Sequence, residues 1–317
     1  MKLGLIKLCL FTVYKIWIVC VYDFFYLLKY SLSPLYSSKD KKLANIMLTT
    51  HSIEKGLSFN KKKSGWGKIK VLNLCRDVIE YYNLYGDDIR IQTAIDVLIE
   101  YQKDSYANKE KSILNKIENI VDKCKTTNSH MAGLKPIQKP SFKLSEEDVW
   151  NFFSSRSSVR YFSDERVTES EVQKAIDFAS LTPTACNRQT TKVHIFENKD
   201  VIKKIIENQL GDQGWCYNAK VLFVLTSNGS YFNPIYESKQ VYIDGGMYAM
   251  NFCMGLHMQK IASCFKMFVR IPKLEKEFKE ICNIPKEEIP IVLVLAGHYP
   301  VDAQYKSPLS HRIINKI

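Results

Sequence analysis

Two unbroken apolar runs, Ala219–Thr226 and Pro290–Gly297, constrain this chain more than any other feature. Neither alternates with polar residues, so each suits a strand covered on both faces. Between them, Val241 to Ile261 reads as one long helix, apolar almost all round and with Gly245-Gly246 inside. A helix with no polar face belongs at the centre of a core or at a subunit interface. The second half of the chain is therefore expected to combine buried strands with a buried helix.

The residues upstream fit that frame. Ser145 can cap a helix whose first turn holds Glu146, Glu147 and Asp148, which suits the helix dipole. Val149, Phe152 and Phe153 give that helix an apolar face. Thr168-Glu-Ser-Glu171 is a capping box, followed by Val172, Ala175, Ile176 and Ala179 at helical period. Leu181-Thr-Pro183 stops this second helix, and the loop Pro183-Thr-Ala-Cys-Asn187-Arg-Gln189 leads into a strand at Val193–Phe196. A further helix is predicted over Val201 to Leu210.

Between the first two helices lies Ser155-Arg156-Ser157-Ser158-Val159-Arg160. Guanidinium is a permanent planar fork of donors, and hydroxyls add donors that turn to suit a ligand. Together they offer what a phosphate dianion needs, because bidentate charge-assisted contacts supply geometry as well as energy. Taken alone the stretch is also compatible with an ordinary surface loop.

The first half reads differently. Residues 1–143 carry 24 Lys+Arg against 13 Asp+Glu, so most of the net charge of +12 sits there. Residues 3–28 are very apolar but are interrupted by Lys7, Lys15 and Asp23. At 100° per residue Lys7, Lys15 and Lys29 fall within about 80° of one another, a basic stripe on a greasy helix. That pattern suits a helix in the membrane interface, a spanning anchor with snorkelling lysines, or a helix packed on protein. Residues 39–123 read as helical, broken by Gly86-Asp87-Asp88. His51 and Glu54 share one helix face and could hold a ligand, within a stretch His51-Ser-Ile-Glu54-Lys55-Gly56-Leu57 that precedes Lys61-Lys-Lys63 and Gly65-Trp66-Gly67. Residues 124–144, with Gly133, Pro136 and Pro140, read as a linker to a domain over 145–317.

Nine cysteines at scattered positions include no C-x-x-C pair, which suits a reducing compartment and gives no support to a metal centre. No nucleic-acid motif accompanies the lysine surplus, so nucleic acid is the poorest partner class.

Residues 145–317 resemble the FMN-dependent nitroreductase family. The matching pieces are Arg156–Arg160 with Tyr161-Phe162, the loop Pro183–Gln189, the long helix from Val241, the strand ending in Ala296-Gly297, and Pro-Leu-Ser-His-Arg312. Residues 39–70 look like an N-terminal extension of some relatives. The resemblance implies an α+β fold, a mostly antiparallel sheet flanked by helices, preceded here by an all-helical N-terminal region. It implies a homodimer with FMN as cofactor, NAD(P)H as electron donor and a small-molecule acceptor. Arg156, Ser157, Ser158, Arg160 and Arg312 would hold the phosphate and ribityl chain. Asn187 and Gln189 would bond the ribityl or the polar ring edge. The backbone at Ala262 and Ser263 would pass the reactive edge of the flavin, with Gly297 beside it. The flavin would carry the chemistry, with no catalytic side chain. Gln189-Thr190-Thr191 departs from the family's Gln-Pro-Trp, so the mouth of the site differs. Two other readings stay open: flavin-dependent oxidation of a bound metabolite or peptide, and a non-enzymatic membrane-associated scaffold or polyanion binder. The expected location is cytoplasmic, with residues 1–38 at the inner face of the membrane.

Overall fold

A computed structural model describes residues 2–127, 132, 139–210 and 214–302, without the side chains of the first eight. Its contacts divide the chain into two units. One comprises residues 1–141, 183–190 and 228–241; the other comprises 142–182, 191–227 and 242–317.

The first unit is helical. Helix α1 (Lys2–Tyr30) is followed by α2 (Lys39–Ser58), α3 (Lys68–Tyr85), α4 (Ile89–Lys103) and α5 (Lys111–Cys124). The expected break at Gly86–Asp88 lies between α3 and α4, where the Asp88 carboxylate caps α4 by accepting from Arg90 N. Leu43, Ile46, Ile53, Leu74, Val78, Ile95, Leu98, Ile113 and Ile117 interlock from four helices into one core. Close approach requires glycine at one place: a Cβ on Gly56 would stand 2.2 Å from the Trp66 ring. The Tyr101 hydroxyl holds this corner by donating to the Trp66 carbonyl.

Helix α1 is longer than the lysine interruptions suggest, running without a break over 29 residues. Its C-terminal end is tied down. Tyr26 is buried, the Lys41 ammonium donates to Lys29 O at 2.9 Å, and Leu32 N donates to Phe232 O at 2.9 Å. Farther out, Leu10, Phe11, Val13, Ile16, Phe24 and Phe25 are exposed.

The second unit is α+β. Strands β1 (Thr191–Phe196), β2 (Val221–Asn228), β3 (Ile261–Met267) and β4 (Glu288–His298) form a sheet in the order β1-β2-β4-β3. The pairs β1–β2 and β3–β4 are antiparallel, with Val193 opposite Leu225 and Ala262 opposite Gly297. Helices α6 (Glu146–Ser155), α7 (Glu169–Ala179), α8 (Lys199–Asn208), α9 (Gln240–Met258) and α10 (Pro272–Cys282) flank it. Both capping boxes form, at Ser145–Asp148 and at Thr168–Glu171.

The two apolar runs are buried on both faces. Leu222, Val224, Leu293 and Leu295 pack with Ile202, Ile205 and Phe278. The alternating partners Val221, Phe223, Leu225, Val294 and Ala296 pack with Ala175, Ala249 and Phe252. On that side α9 presses on α7 so closely that a Cβ on Gly255 would lie 2.8 Å from Ala175 Cα.

One expectation is corrected. The long helix ends at Met258, and Ile261 opens β3 instead of closing the helix; Lys260, at φ 59°, makes the turn. Within the single chain α9 leaves Ile243, Met247 and Met250 exposed, so a subunit interface stays open as the setting for that side.

Candidate functional site

In the α+β unit the arginine-serine stretch is pinned to the start of β3. Ser158 forms a parallel bridge with Ser263, and Val159 N donates to Ser263 O at 3.1 Å. Val159 is buried in the core below, which holds its neighbours at the surface. Arg156, Ser157 and Ser158 are half-buried, and Arg160 is exposed with its guanidinium 5.3 Å from the Trp215 ring centroid. Among the described residues, no carboxylate pairs with Arg156 or Arg160. Ala262 faces Gly297 across β3–β4, so Arg156–Ser158, Ala262, Ser263 and Gly297 form one neighbourhood. Gly297 has a packing role of its own: a Cβ there would lie 2.6 Å from Phe162 Cβ. Beside this neighbourhood, burial pushes the Cys253 thiol up to about 12 despite a hydrogen bond with Ser263, so it stays protonated at neutral pH.

Asn187 and Gln189 belong to the helical unit. Their loop takes an unusual path: Cys186, Asn187 and Gln189 all have left-handed backbone angles, at φ 53°, 52° and 48°. Only Asn tolerates that region readily, so the other two are strained. The residue between them supplies the restraint. Arg188 is only 1% exposed. Its guanidinium donates to Ala185 O at 2.9 Å, to Tyr231 O, and to both Glu237 oxygens at 3.0 and 2.8 Å. Its face lies over Phe232 at 4.6 Å. Burial pushes the Glu237 carboxyl up, but the Arg188 bonds outweigh it and hold the group below the usual glutamate range.

The strained loop lines a cavity of about 150 Å³ together with α2 and α4. Its polar walls are Thr50, His51, Glu54, Arg90, Asn187 and Gln189. His51 Nδ1 lies 3.8 Å from Glu54 Oε2, and both side chains are half-buried. Burial lowers the His51 pKa, with Lys55 and Arg188 adding repulsion, and burial raises that of Glu54. Arg90 is already paired with Asp88 and donates to the Tyr231 hydroxyl at 2.6 Å.

The shared helix face of His51 and Glu54 is readable from their spacing. That Arg90 meets them is not, because nothing local marks it. Tyr231 and Phe232 are core residues of the helical unit, and Tyr236 is exposed. The lysine run lies around a second cavity of about 510 Å³, where Lys62 pairs with Asp104 and Lys68 with Glu110. Arg312 lies outside the described residues.

A mostly antiparallel sheet flanked by helices, with the arginine-serine stretch bridged to the start of β3, defines an α+β domain. Residues 153–298 match the nitroreductase family model, and the chain carries a domain of that family. No curated protein matches the chain. Several solved structures are similar. A putative NADH dehydrogenase/NAD(P)H nitroreductase from Parabacteroides distasonis is 14% identical with a TM-score of 0.46, covering 52% of this chain and 95% of its own. A nitroreductase with bound FMN from Desulfitobacterium hafniense is 18% identical with a TM-score of 0.44, covering 54% and 98%. A putative nitroreductase in complex with FMN from Desulfovibrio desulfuricans is 16% identical with a TM-score of 0.45, covering 55% and 99%.

Proposed function

We propose that this protein is an FMN-dependent oxidoreductase that takes electrons from NAD(P)H and delivers them to a small acceptor. The observation that carries the reading is the bridge between Ser158 and Ser263, which sets beside a strand start two arginines that, among the described residues, pair with no carboxylate. The donor set fits the group. A phosphate monoester asks for forked cations and hydroxyls, and Arg156, Ser157, Ser158 and Arg160 supply them. By resemblance, the backbone of Ala262 and Ser263 would run along the flavin ring. When bound, FMN supplies the hydride chemistry, and the protein's part is placement, charge and exclusion of water.

Replacing Arg156 by Ala removes a charge-assisted contact, and FMN affinity falls by about 10- to 100-fold. The readout is flavin stoichiometry in the purified protein from its visible absorbance. A variant with undiminished flavin content refutes the phosphate role of Arg156. Consumption of NAD(P)H with a small acceptor separates this reading from flavin-dependent oxidation of a bound metabolite or peptide.

Two surfaces favour partners. Helix α6 buries none of its residues and exposes Val149, Trp150 and Phe153, while α9 exposes Ile243, Met247 and Met250. Short helices need packing to persist, and a second copy of the chain provides it in a homodimer. Residues Cys9–Tyr30 have a mean hydropathy of 1.5 and the length to cross a bilayer. The exposed apolar residues of α1 lie all round the helix, on the lysine stripe (Phe11, Phe25) as well as opposite it (Val13, Ile16), which favours insertion over lying flat. The reading places the protein in the cytoplasm, held at the inner face of the membrane by α1. All nine cysteines are unbridged, which suits that compartment.

A further inference from the structure

We propose that the N-terminal extension carries a ligand subsite of its own: the cavity between α2, α4 and the 186–189 loop binds a small uncharged carbonyl compound through His51, Glu54 and Asn187. For its role as the acceptor subsite the proposal rests on the flavin reading of Asn187 and Gln189. For its existence it rests on the helical unit alone.

Four observations converge on it. His51 and Glu54 are half-buried polar groups, and among the described residues neither makes a hydrogen bond to protein. Such groups need a partner, and water or a ligand in the cavity is what remains. The wall opposite them is held in strained backbone, with Cys186, Asn187 and Gln189 all left-handed. Strain of that kind, about 1–3 kcal/mol per residue, persists where surrounding structure enforces it and gathers at binding sites. Here the buried Arg188–Glu237 pair enforces it. The Gln189 amide donates to Asn187 Oδ1 at 3.1 Å, which fixes the Asn187 amide as a donor toward other partners.

The volume and charge then choose the ligand. About 150 Å³ is room for roughly five waters, hence a small molecule and not a peptide or nucleotide. Arg90 is the only cation among the lining residues, and Asp88 already neutralises it through two bonds of 2.8 and 2.9 Å. Burial holds His51 and Glu54 toward their neutral forms. A carboxylate ligand would therefore meet no unspent positive charge. A carbonyl oxygen would meet donors from the His51 ring and the Asn187 amide, joined by the Glu54 carboxyl in its protonated form, while Met47 and Ile89 cover its apolar body. The Thr50 and Thr93 hydroxyls donate to their own helices at Ile46 O and Ile89 O, leaving only acceptor capacity inward.

The test uses the full chain, with and without added FMN, titrated calorimetrically with acetophenone and with benzoate. The two share size and shape and differ in charge. Acetophenone binds at least about tenfold more tightly than benzoate, and Glu54→Ala or His51→Ala weakens it by about five- to tenfold. Its affinity falls as pH rises through the raised Glu54 pKa, because the ionised carboxyl cannot donate; Glu54→Gln abolishes that dependence while retaining binding. Thermal melts establish that each variant is folded. Absence of acetophenone binding, equal affinity for benzoate, or indifference of folded Glu54→Ala and His51→Ala proteins overturns the subsite. A chain that takes up FMN but fails these tests loses the subsite alone. A colourless chain that passes them keeps the subsite and loses the flavin reading.

Discussion

Replacing Arg188 by Met tests whether one buried ion pair holds the 186–189 loop in its strained path. The substitution keeps most of the side-chain volume and removes the charge and four hydrogen-bond contacts, to Ala185 O, Tyr231 O and both Glu237 oxygens. Breaking a buried pair from one side costs about 3–5 kcal/mol. Glu237 keeps 24% of its side chain exposed and can recover water, which trims the cost to about 2–4 kcal/mol. The backbone strain at Cys186 and Gln189 acts in the same direction, since the loop relaxes when its anchor goes. Loop opening therefore becomes easier by about 3 kcal/mol, or a hundredfold in population. Amide hydrogen exchange reads this directly, at Asn187, Arg188 and Gln189, whose N–H groups bond within the loop to Thr184 O, Ala185 O and Thr184 Oγ1. A local readout is preferable to a global melt, because a chain with two compact units need not unfold in one step. The double variant Arg188→Met, Glu237→Leu regains stability over Arg188→Met, because it no longer leaves a buried carboxylate without its cation. Exchange at these three amides within threefold of the parent refutes the anchoring argument. So does a double variant less stable than both singles.

Three further outcomes follow from other parts of the chain. Glu288 is 1% exposed and accepts from Lys192 at 2.6 Å, His194 at 2.9 Å and Thr226 at 2.6 Å. Burial pushes its carboxyl up, but the three bonds prevail and lower it to about 2 from 4.5, so its stabilisation is present above the ordinary glutamate range and is lost as pH falls toward 2. Glu288→Gln removes on the order of 3 kcal/mol at neutral pH and flattens the acid limb of a urea-midpoint profile; an acid limb as steep as the parent's contradicts this. Deleting residues 1–38 abolishes flotation of the protein with liposomes, and equal flotation of both forms eliminates α1 as the anchor. Trp150→Asp on α6 halves the sedimenting mass if that face joins two copies, whereas a parent that already sediments as a monomer disposes of the dimer.

The parts of the fold that were legible share one property: their signal is local and redundant. The capping boxes at Ser145 and Thr168 announce α6 and α7 because donor and acceptor lie three residues apart. The runs in β2 and β4 are legible because burial on both faces suppresses alternation. Strand β3 was hidden for the converse reason. Ile261–Ser263 continues the apolar character of α9, and the turn is made by Lys260 in a left-handed conformation, where glycine or asparagine would have marked it. Asn187 and the arginine-serine stretch were singled out through family resemblance. The importance of Arg188 was not, because its partner Glu237 lies 49 residues away and an isolated arginine in a loop is ordinarily solvated.

The extension shows why a short motif can be visible and still opaque. On α2, at 100° per residue, Thr50, His51 and Glu54 cluster on one side, and Gly56 lies about 140° from His51 and 160° from Glu54. The first side lines the cavity; the second receives the Trp66 ring, at a distance that excludes even a methyl group. Both ends of the stretch from His51 to Trp66 are therefore fixed by different demands. Packing fixes Gly56, Trp66 and Gly67, which starts α3 at φ 80°. Packing does not account for His51 or Glu54, half-buried polar side chains that make no hydrogen bond to protein among the described residues. A helix face that only needed covering would carry apolar side chains there, as Ile46, Ile53 and Leu57 do toward the core. Two half-buried polar groups on the remaining face are a cost to folding that apolar side chains would avoid. Their place in the chain is explained by what enters the cavity, and that is why the extension belongs to the function and not only to the fold.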